Sequence, residues 1–220
     1  MKRLVALASA LLLSVALTAC NKPAEKSAEQ PAPATEQTQE QPAAESEEPA
    51  PAEEAVSLAD WEGTWDDMSL WLDLPEVEEG YKLAAEKDGV TPEEVKEALK
   101  KRRRSDFHGM IVEGNKLTLL DNWAAKGGKE IGSAEYEFVQ SHAMEESGHS
   151  LEWDEFKATS ADAKYPVLLM MPVHGEEALT HFHMRYGDNA ETLLKMEEKW
   201  YPTFVKPSTT AQQMIEEIAE

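Results

Sequence analysis

The apolar positions of the chain follow a helical period at first and a strand period later. Helices are predicted from Glu76 to about Lys87 and from Pro92 to about Arg104, where Thr91 and Glu94 form a capping box. Alternating apolar and polar residues between turn signals then predict six or more strands, at 107–112, 116–120, 134–139, 150–157, 165–174 and 179–186. Short strands in such succession predict a mainly β fold, an antiparallel barrel or sandwich with flanking helices.

Helical patterns also stand at both ends of this domain. Trp61 and Trp65 are four residues apart, which suits one face of a helix with Gly63 as a break, and an amphipathic stretch runs from Asp66 to Leu74. The tryptophans are predicted to be core residues rather than ligand-stacking ones. After the last strand, helices are predicted from Ala190 to about Lys199 and from a cap at Ser208 or Thr209 to Ala219.

Three histidines near the end of the strand region are the candidate metal ligands. His181 and His183 flank Phe182, so on a strand both imidazoles point to one face and the phenyl ring points to the core. The preceding strand ends at His174, and antiparallel pairing across the turn at 175–178 brings this third imidazole to the same face. Three neutral imidazoles with an open fourth position suit Zn(II).

The sequence leaves the fourth ligand open. Water suits that position, and so does a carboxylate from Glu176, Glu177 or another loop. Cu(II) or Ni(II) could bind such a site in vitro as well as Zn(II) does. Three histidines with an open position also describe catalytic zinc, but the sequence contains no H-E-x-x-H or similarly placed base, so we expect no enzyme activity.

The other three histidines are predicted to have structural or incidental roles. His142 and His149 bound a polar stretch that is predicted to be a loop between strands. This loop either carries incidental histidines or forms a second, weaker metal site with Glu145 or Glu146. His108 follows Phe107 in a predicted strand and is expected to be a hydrogen-bonded structural residue.

The N-terminus has the architecture of an export signal. A short basic start is followed by an apolar run, Leu4 to Leu17, which is too short for a comfortable membrane span. The residues that end in Cys20 resemble a bacterial lipobox, which implies a signal peptide at 1–19, cleavage before Cys20 and lipidation of that cysteine. We therefore expect an extracytoplasmic protein, at the cell surface or on the periplasmic face, that meets the membrane only through its lipid anchor.

Composition and charge indicate the domain organisation and limit the classes of molecule that the protein can bind. Residues 20–56 are rich in Ala, Glu, Pro, Gln and Ser, and are predicted to be a disordered acidic tether before a folded domain at 57–220. The formal net charge of −22 argues against nucleic acid as a partner. The basic run Lys100–Arg104 is predicted to be a solvated helix end rather than a docking patch.

Four stretches of the domain, taken in order, resemble the ZinT (YodA) family of zinc-binding proteins. They are Leu58–Trp65, His181–Gly187, Met196–Thr203 and Thr209–Glu217. The resemblance implies a lipocalin-like barrel with flanking helices and a zinc or cadmium ion held by His174, His181 and His183. It also implies zinc scavenging outside the cytoplasm and transfer towards an ABC zinc importer. Some members carry a histidine-rich segment or a disulfide; this domain has neither.

A different class of function competes with metal binding. A lipocalin-like barrel could carry a small apolar ligand in its interior while the histidines are incidental. Such a carrier would need a dry apolar cavity and would be purified without metal.

Overall fold

The computed structural model describes residues 55–146, 148–175, 178–196 and 199–220. The predicted signal peptide, the lipidation site Cys20 and almost all of the predicted tether lie outside these residues, as do Glu176 and Glu177. Within the described part, none of the helices combines the length and apolar character that a membrane crossing requires.

Eight antiparallel strands close into a barrel in which each strand pairs with its neighbours in sequence. The strands are β1 (Gly63–Asp67), β2 (Gly109–Glu113), β3 (Lys116–Leu120), β4 (Glu130–Glu146), β5 (His149–Ala158), β6 (Val167–Met170), β7 (His181–Gly187) and β8 (Thr203–Val205). The barrel is closed where Asp66 and Asp67 of β1 pair with Val205 and Phe204 of β8. The predicted mainly β barrel with flanking helices is therefore confirmed.

Four α-helices accompany the barrel. They are α1 (Glu78–Asp88), α2 (Pro92–Arg103), α3 (Ala190–Leu194) and α4 (Ala211–Ala219). The capping box predicted for α2 is present, with Thr91 and Glu94 each accepting from the other's backbone N–H. A second hydrophobic cluster joins α1 and α4 to the outside of the barrel, through Tyr81, Met214 and Ile218 packed with Val205. Helix α2 places Arg103 beside the last two strands, and α4 places Glu217 beside Arg103.

The barrel interior is filled by aromatic rings. Trp61, Trp65, Phe156, Phe182 and Phe204 are at most 2% exposed. The Trp65 and Phe182 ring centroids lie 4.7 Å apart in an edge-to-face contact, and those of Trp61 and Phe156 lie 5.5 Å apart. Phe182 thus lies in the core, as its position between the two histidines predicts.

Several predictions are wrong near β1 and β8, the two strands whose pairing closes the barrel. The segment at Trp61 is a 3-10 helix (Leu58–Trp61), and Gly63, with φ +116°, lets the chain turn into β1. Strand β8 was not predicted, because its three residues are too few to show a period. The stretch after β1 is a 3-10 helix, Met68–Asp73, which Asp67 caps by accepting from the Ser69 N–H.

Other predicted elements shift rather than disappear. The predicted loop at 141–149 is wrong: it forms the end of the β4–β5 hairpin, in which Glu146 pairs with His149. Helix α3 ends at Leu194 instead of near Lys199, and α4 is capped by Thr210. His108 precedes β2 instead of lying in it, and its Nδ1 lies 2.8 Å from Asp67 Oδ2.

Candidate metal centre

The three predicted histidines lie together at one end of the barrel. His181 and His183 lie on β7. Strand β6 ends at Met170, earlier than predicted, because Pro172 has no N–H for the ladder, but His174 still forms a bridge with His181. One candidate ligand atom from each imidazole lies within 4.8 Å of the others. The antiparallel pairing predicted across the turn at 175–178 is therefore present at this bridge, and it brings the three imidazoles together.

The hydrogen bonds of these imidazoles select one nitrogen for an ion. His174 Nδ1 lies 2.9 Å from the Pro172 carbonyl oxygen, and His181 Nδ1 lies 2.7 Å from the Leu179 carbonyl oxygen. A carbonyl oxygen only accepts, so in both rings Nδ1 carries the proton and Nε2 keeps its lone pair. This arrangement is the usual orientation device of metal-binding histidines.

A buried threonine does the same for the third ring. Thr203 Oγ1 donates to the Tyr201 carbonyl at 2.9 Å and accepts from Arg103 Nη1 at 2.7 Å. His183 Nδ1 lies 2.9 Å from the same hydroxyl oxygen. The hydroxyl can make all three bonds only if His183 Nδ1 donates, which again frees Nε2. The Arg103 Nη1 to His183 Nδ1 distance of 3.1 Å is then a contact between two N–H groups.

The burial of Arg103 contradicts one prediction from the sequence. The basic run was predicted to be a solvated helix end, but the Arg103 side chain is buried at 6% exposure and contacts the site. Its Nη2 lies 3.7 Å from a Glu217 carboxylate oxygen of α4. Its Nε has no hydrogen-bond partner among the described residues. Burial, followed by the neighbouring Arg102 charge, lowers the pKa of Arg103 to about 10, so it remains cationic at neutral pH.

Burial favours the neutral form of two of the site imidazoles, His181 and His183. It is the main cause that lowers the pKa of His181, against a smaller opposite effect of the Leu179 carbonyl. For His183, burial and then the Arg103 charge hold the pKa well below its usual range. Imidazoles must be neutral to bind a metal ion, so this environment favours the binding form. In a tetrahedral zinc site the ligand nitrogens lie about 3.3 Å apart, so the present spacing fits after small movements.

A cleft of about 320 Å³ opens onto this cluster. His174 and His183 lie among its walls. The remaining lining residues are Arg102, His149, Leu151, Met171, Lys199 and Tyr201. Any ion in the three-histidine cluster would be reached from solvent through this cleft.

The other histidines lie elsewhere or serve other bonds. His142 Nε2 lies 2.7 Å from Glu155 Oε2 across the β4–β5 pair, so this imidazole already contacts a carboxylate of the neighbouring strand. His149 lines the cleft, although sequence reasoning had grouped it with His142. Strand alternation through Trp153, Leu151 and His149 was the signal that could have placed it.

The fold and this cluster define a small antiparallel barrel that presents three oriented imidazoles at one end. A model of the family described as ZinT (YodA) periplasmic lipocalin-like zinc-recruitment matches residues 51–220. The chain belongs to the ZinT (YodA) family.

Individual relatives are more distant. The chain is 25% identical over 164 residues to the probable metal-binding protein YrpE of Bacillus subtilis (strain 168), an alignment that covers 72% of this chain and 63% of YrpE. The chain therefore spans less than two thirds of that relative.

Two solved structures from Streptococcus pneumoniae share the fold. The Zn(II)-bound ZinT-like domain of AdcA superposes with a TM-score of 0.61 at 22% identity, over 77% of this chain and 93% of the domain. Zn(II)-bound AdcA gives 0.62 at 23% identity, over 74% of this chain and 35% of AdcA.

Proposed function

We propose that this chain is an extracytoplasmic zinc-binding protein, anchored to the membrane by a lipid on Cys20. It scavenges, buffers or donates Zn(II), and its recipient is the binding protein of an ABC zinc importer. His174, His181 and His183 are the ligands. Cd(II), Cu(II) and Ni(II) can occupy the same site in vitro.

One observation carries the metal assignment. Each of the three imidazoles has its Nδ1 beside an oxygen, on Pro172, Leu179 or Thr203, and keeps Nε2 for an ion. The zinc-recruitment description of the family supports the choice of metal. The Zn(II)-bound state of the S. pneumoniae AdcA domain supports it as well.

The apolar-carrier alternative has less support. A carrier needs an empty interior, whereas the inward-facing Phe107, Phe182 and Phe204 are fully buried and their rings contact one another. The family description names recruitment rather than catalysis, which supports a binding protein and not an enzyme.

The assignment is tested by titrating the chain with Zn(II) in calorimetry, beside two single variants. His174→Ala removes a proposed ligand, whereas His142→Ala removes a similarly half-buried imidazole that pairs with Glu155. We expect one tight site, weakened by more than about 100-fold in His174→Ala and unchanged in His142→Ala. Equal affinity in both variants would place the zinc site elsewhere.

The anchor and the transfer step are tested separately. Cys20→Ala should move the protein from the membrane fraction to the soluble extract. Zinc-loaded protein mixed with an importer's binding protein should lose its metal faster than it does to buffer alone. Equal loss rates would limit the function to scavenging or buffering.

A further inference from the structure

One face of β5, opposite to the interior-facing Phe156, leads from the buried Trp153 to the mouth of the metal centre. Side chains two residues apart share a face of a strand, so Trp153, Leu151 and His149 point the same way. Trp153 is buried and its ring stacks on Tyr201 with centroids 6.0 Å apart, Leu151 is half-buried, and His149 is exposed. This order of burial shows that the face runs outward, with His149 at its outer end.

The same face forms a wall of the cleft over the three-histidine cluster. Leu151 and His149 line the cleft together with His174 and His183. Tyr201 connects the two sides, since its ring lies 5.8 Å from the His183 ring. The imidazole of His149 is therefore close to the open side of the cluster.

The chemistry of the lining residues singles out His149. The Arg102 and Lys199 side chains are cations and offer no lone pair to a metal ion. The Met171 thioether is a soft ligand that suits Cu(I) better than Zn(II). Outside the three-histidine cluster, His149 is the one imidazole among the described residues that line the cleft.

We propose that His149 is the fourth zinc ligand. This inference rests on the proposed function of the three histidines. The His149 nitrogens do not belong to the group of ligand atoms within 4.8 Å of one another, so coordination requires movement.

Zinc affinity and Co(II) spectroscopy of His149→Ala test the proposal. Water would take the vacated position, so we expect a loss of zinc affinity of about 10–100-fold in a chelator competition. Release of zinc to the chelator should accelerate by a similar factor, because the removed ligand lies at the exit. With Co(II) as the probe, the visible absorption should change, because an oxygen ligand replaces a nitrogen.

Matched variants separate the outcomes. His142→Ala lies on the same hairpin and should leave zinc affinity and the Co(II) spectrum unchanged. Unfolding curves of the metal-free variants show whether each is folded. An unchanged spectrum and affinity in folded His149→Ala would overturn the proposal, and a loss in Glu176→Gln or Glu177→Gln instead would assign the position to that carboxylate. Absence of zinc binding by the unaltered chain would refute the proposed function itself.

Discussion

The hydroxyl of Thr203 should support both the fold and the metal centre, and Thr203→Val removes it at nearly constant volume. The side chain is fully buried at 0% exposure in β8. Its oxygen accepts from His183 Nδ1 at 2.9 Å and from Arg103 Nη1 at 2.7 Å, and its proton goes to the Tyr201 carbonyl at 2.9 Å. Valine can replace none of these bonds, so three buried polar groups lose a partner.

The size of the effect follows from these contacts. A buried polar group left without its partner costs about 1–3 kcal/mol. Arg103 keeps weaker contacts with the Tyr201 carbonyl at 3.4 Å and with Glu217 at 3.7 Å. We therefore expect the free energy of unfolding of the metal-free chain to fall by about 3 kcal/mol. Zinc affinity should fall by about 10–100-fold, because His183 Nδ1 loses the acceptor that holds its proton.

Denaturant unfolding and zinc competition measure the two effects separately. Thr118→Val, in a buried position of β3, controls for the generic cost of the substitution. Thr203→Ser keeps the hydroxyl and should recover most of the zinc affinity while losing only methyl packing. If Thr203→Val binds zinc as tightly as Thr118→Val does, the Thr203 hydroxyl does not determine which nitrogen of His183 carries the proton, and the reasoning is refuted.

Three further changes probe the backbone and the buried charges. In Gly175→Ala, with φ +78°, the new Cβ would lie 2.3 Å from the Leu179 carbonyl oxygen that holds one site imidazole, so zinc affinity should fall. Gly89→Ala is the control: the backbone also has a positive φ of +70°, but no atom lies within 4 Å of the new Cβ. This variant measures the cost of the backbone conformation without a clash, and it should leave zinc binding unchanged. The pKa of His183 is lowered in the folded chain, so as pH falls the unfolded chain binds a proton on this imidazole first. The free energy of unfolding of the metal-free chain should therefore decrease below about pH 6.5, and the decrease should be smaller in His183→Gln. The pH dependence of Asp66 has the opposite sign: burial raises its pKa from 3.8 to about 6, so the unfolded chain ionises first and stability falls as pH rises from 3.8 to about 6. Unfolding curves should show Asp66→Asn stabilised by up to about 3 kcal/mol at pH 8 and by nothing below pH 3.8, and equal effects at both pH values would contradict this reasoning.

The clustering of the three histidines could be predicted from sequence because strand alternation is a local property. The pattern His181-Phe182-His183 fixes which side chains share a face, whatever the rest of the chain does. The bridge between His174 and His181 then depends only on the neighbouring turn. The core role of Phe182 follows from the same alternation.

The role of Arg103 could not be predicted in this way. In the sequence it is one of five consecutive basic residues at a helix end, where solvent exposure is the ordinary outcome. Its burial depends on Tyr201 and Thr203, which lie about a hundred positions later in the chain. Strand β8, which carries Thr203, has only three residues and gives no periodic signal. The helix predicted at Trp61 and Trp65 failed similarly, since the pairing partner of Trp65 is Met110 in β2.

The position of Arg103 makes the three proposed ligands unequal. His174 and His181 donate Nδ1–H to carbonyl oxygens, which makes their Nε2 atoms stronger donors to a metal ion. His183 instead donates to a hydroxyl that is already polarised by a cation, and the cation itself lies 3.1 Å from its Nδ1. The Glu217 carboxylate, 3.7 Å from Arg103 Nη2, offsets part of that charge. His183 is therefore the weakest donor of the three, and it is also one of the two that face the cleft. The proposed zinc site, with its weakest ligand on the solvent side, is suited to exchanging its ion rather than holding it permanently.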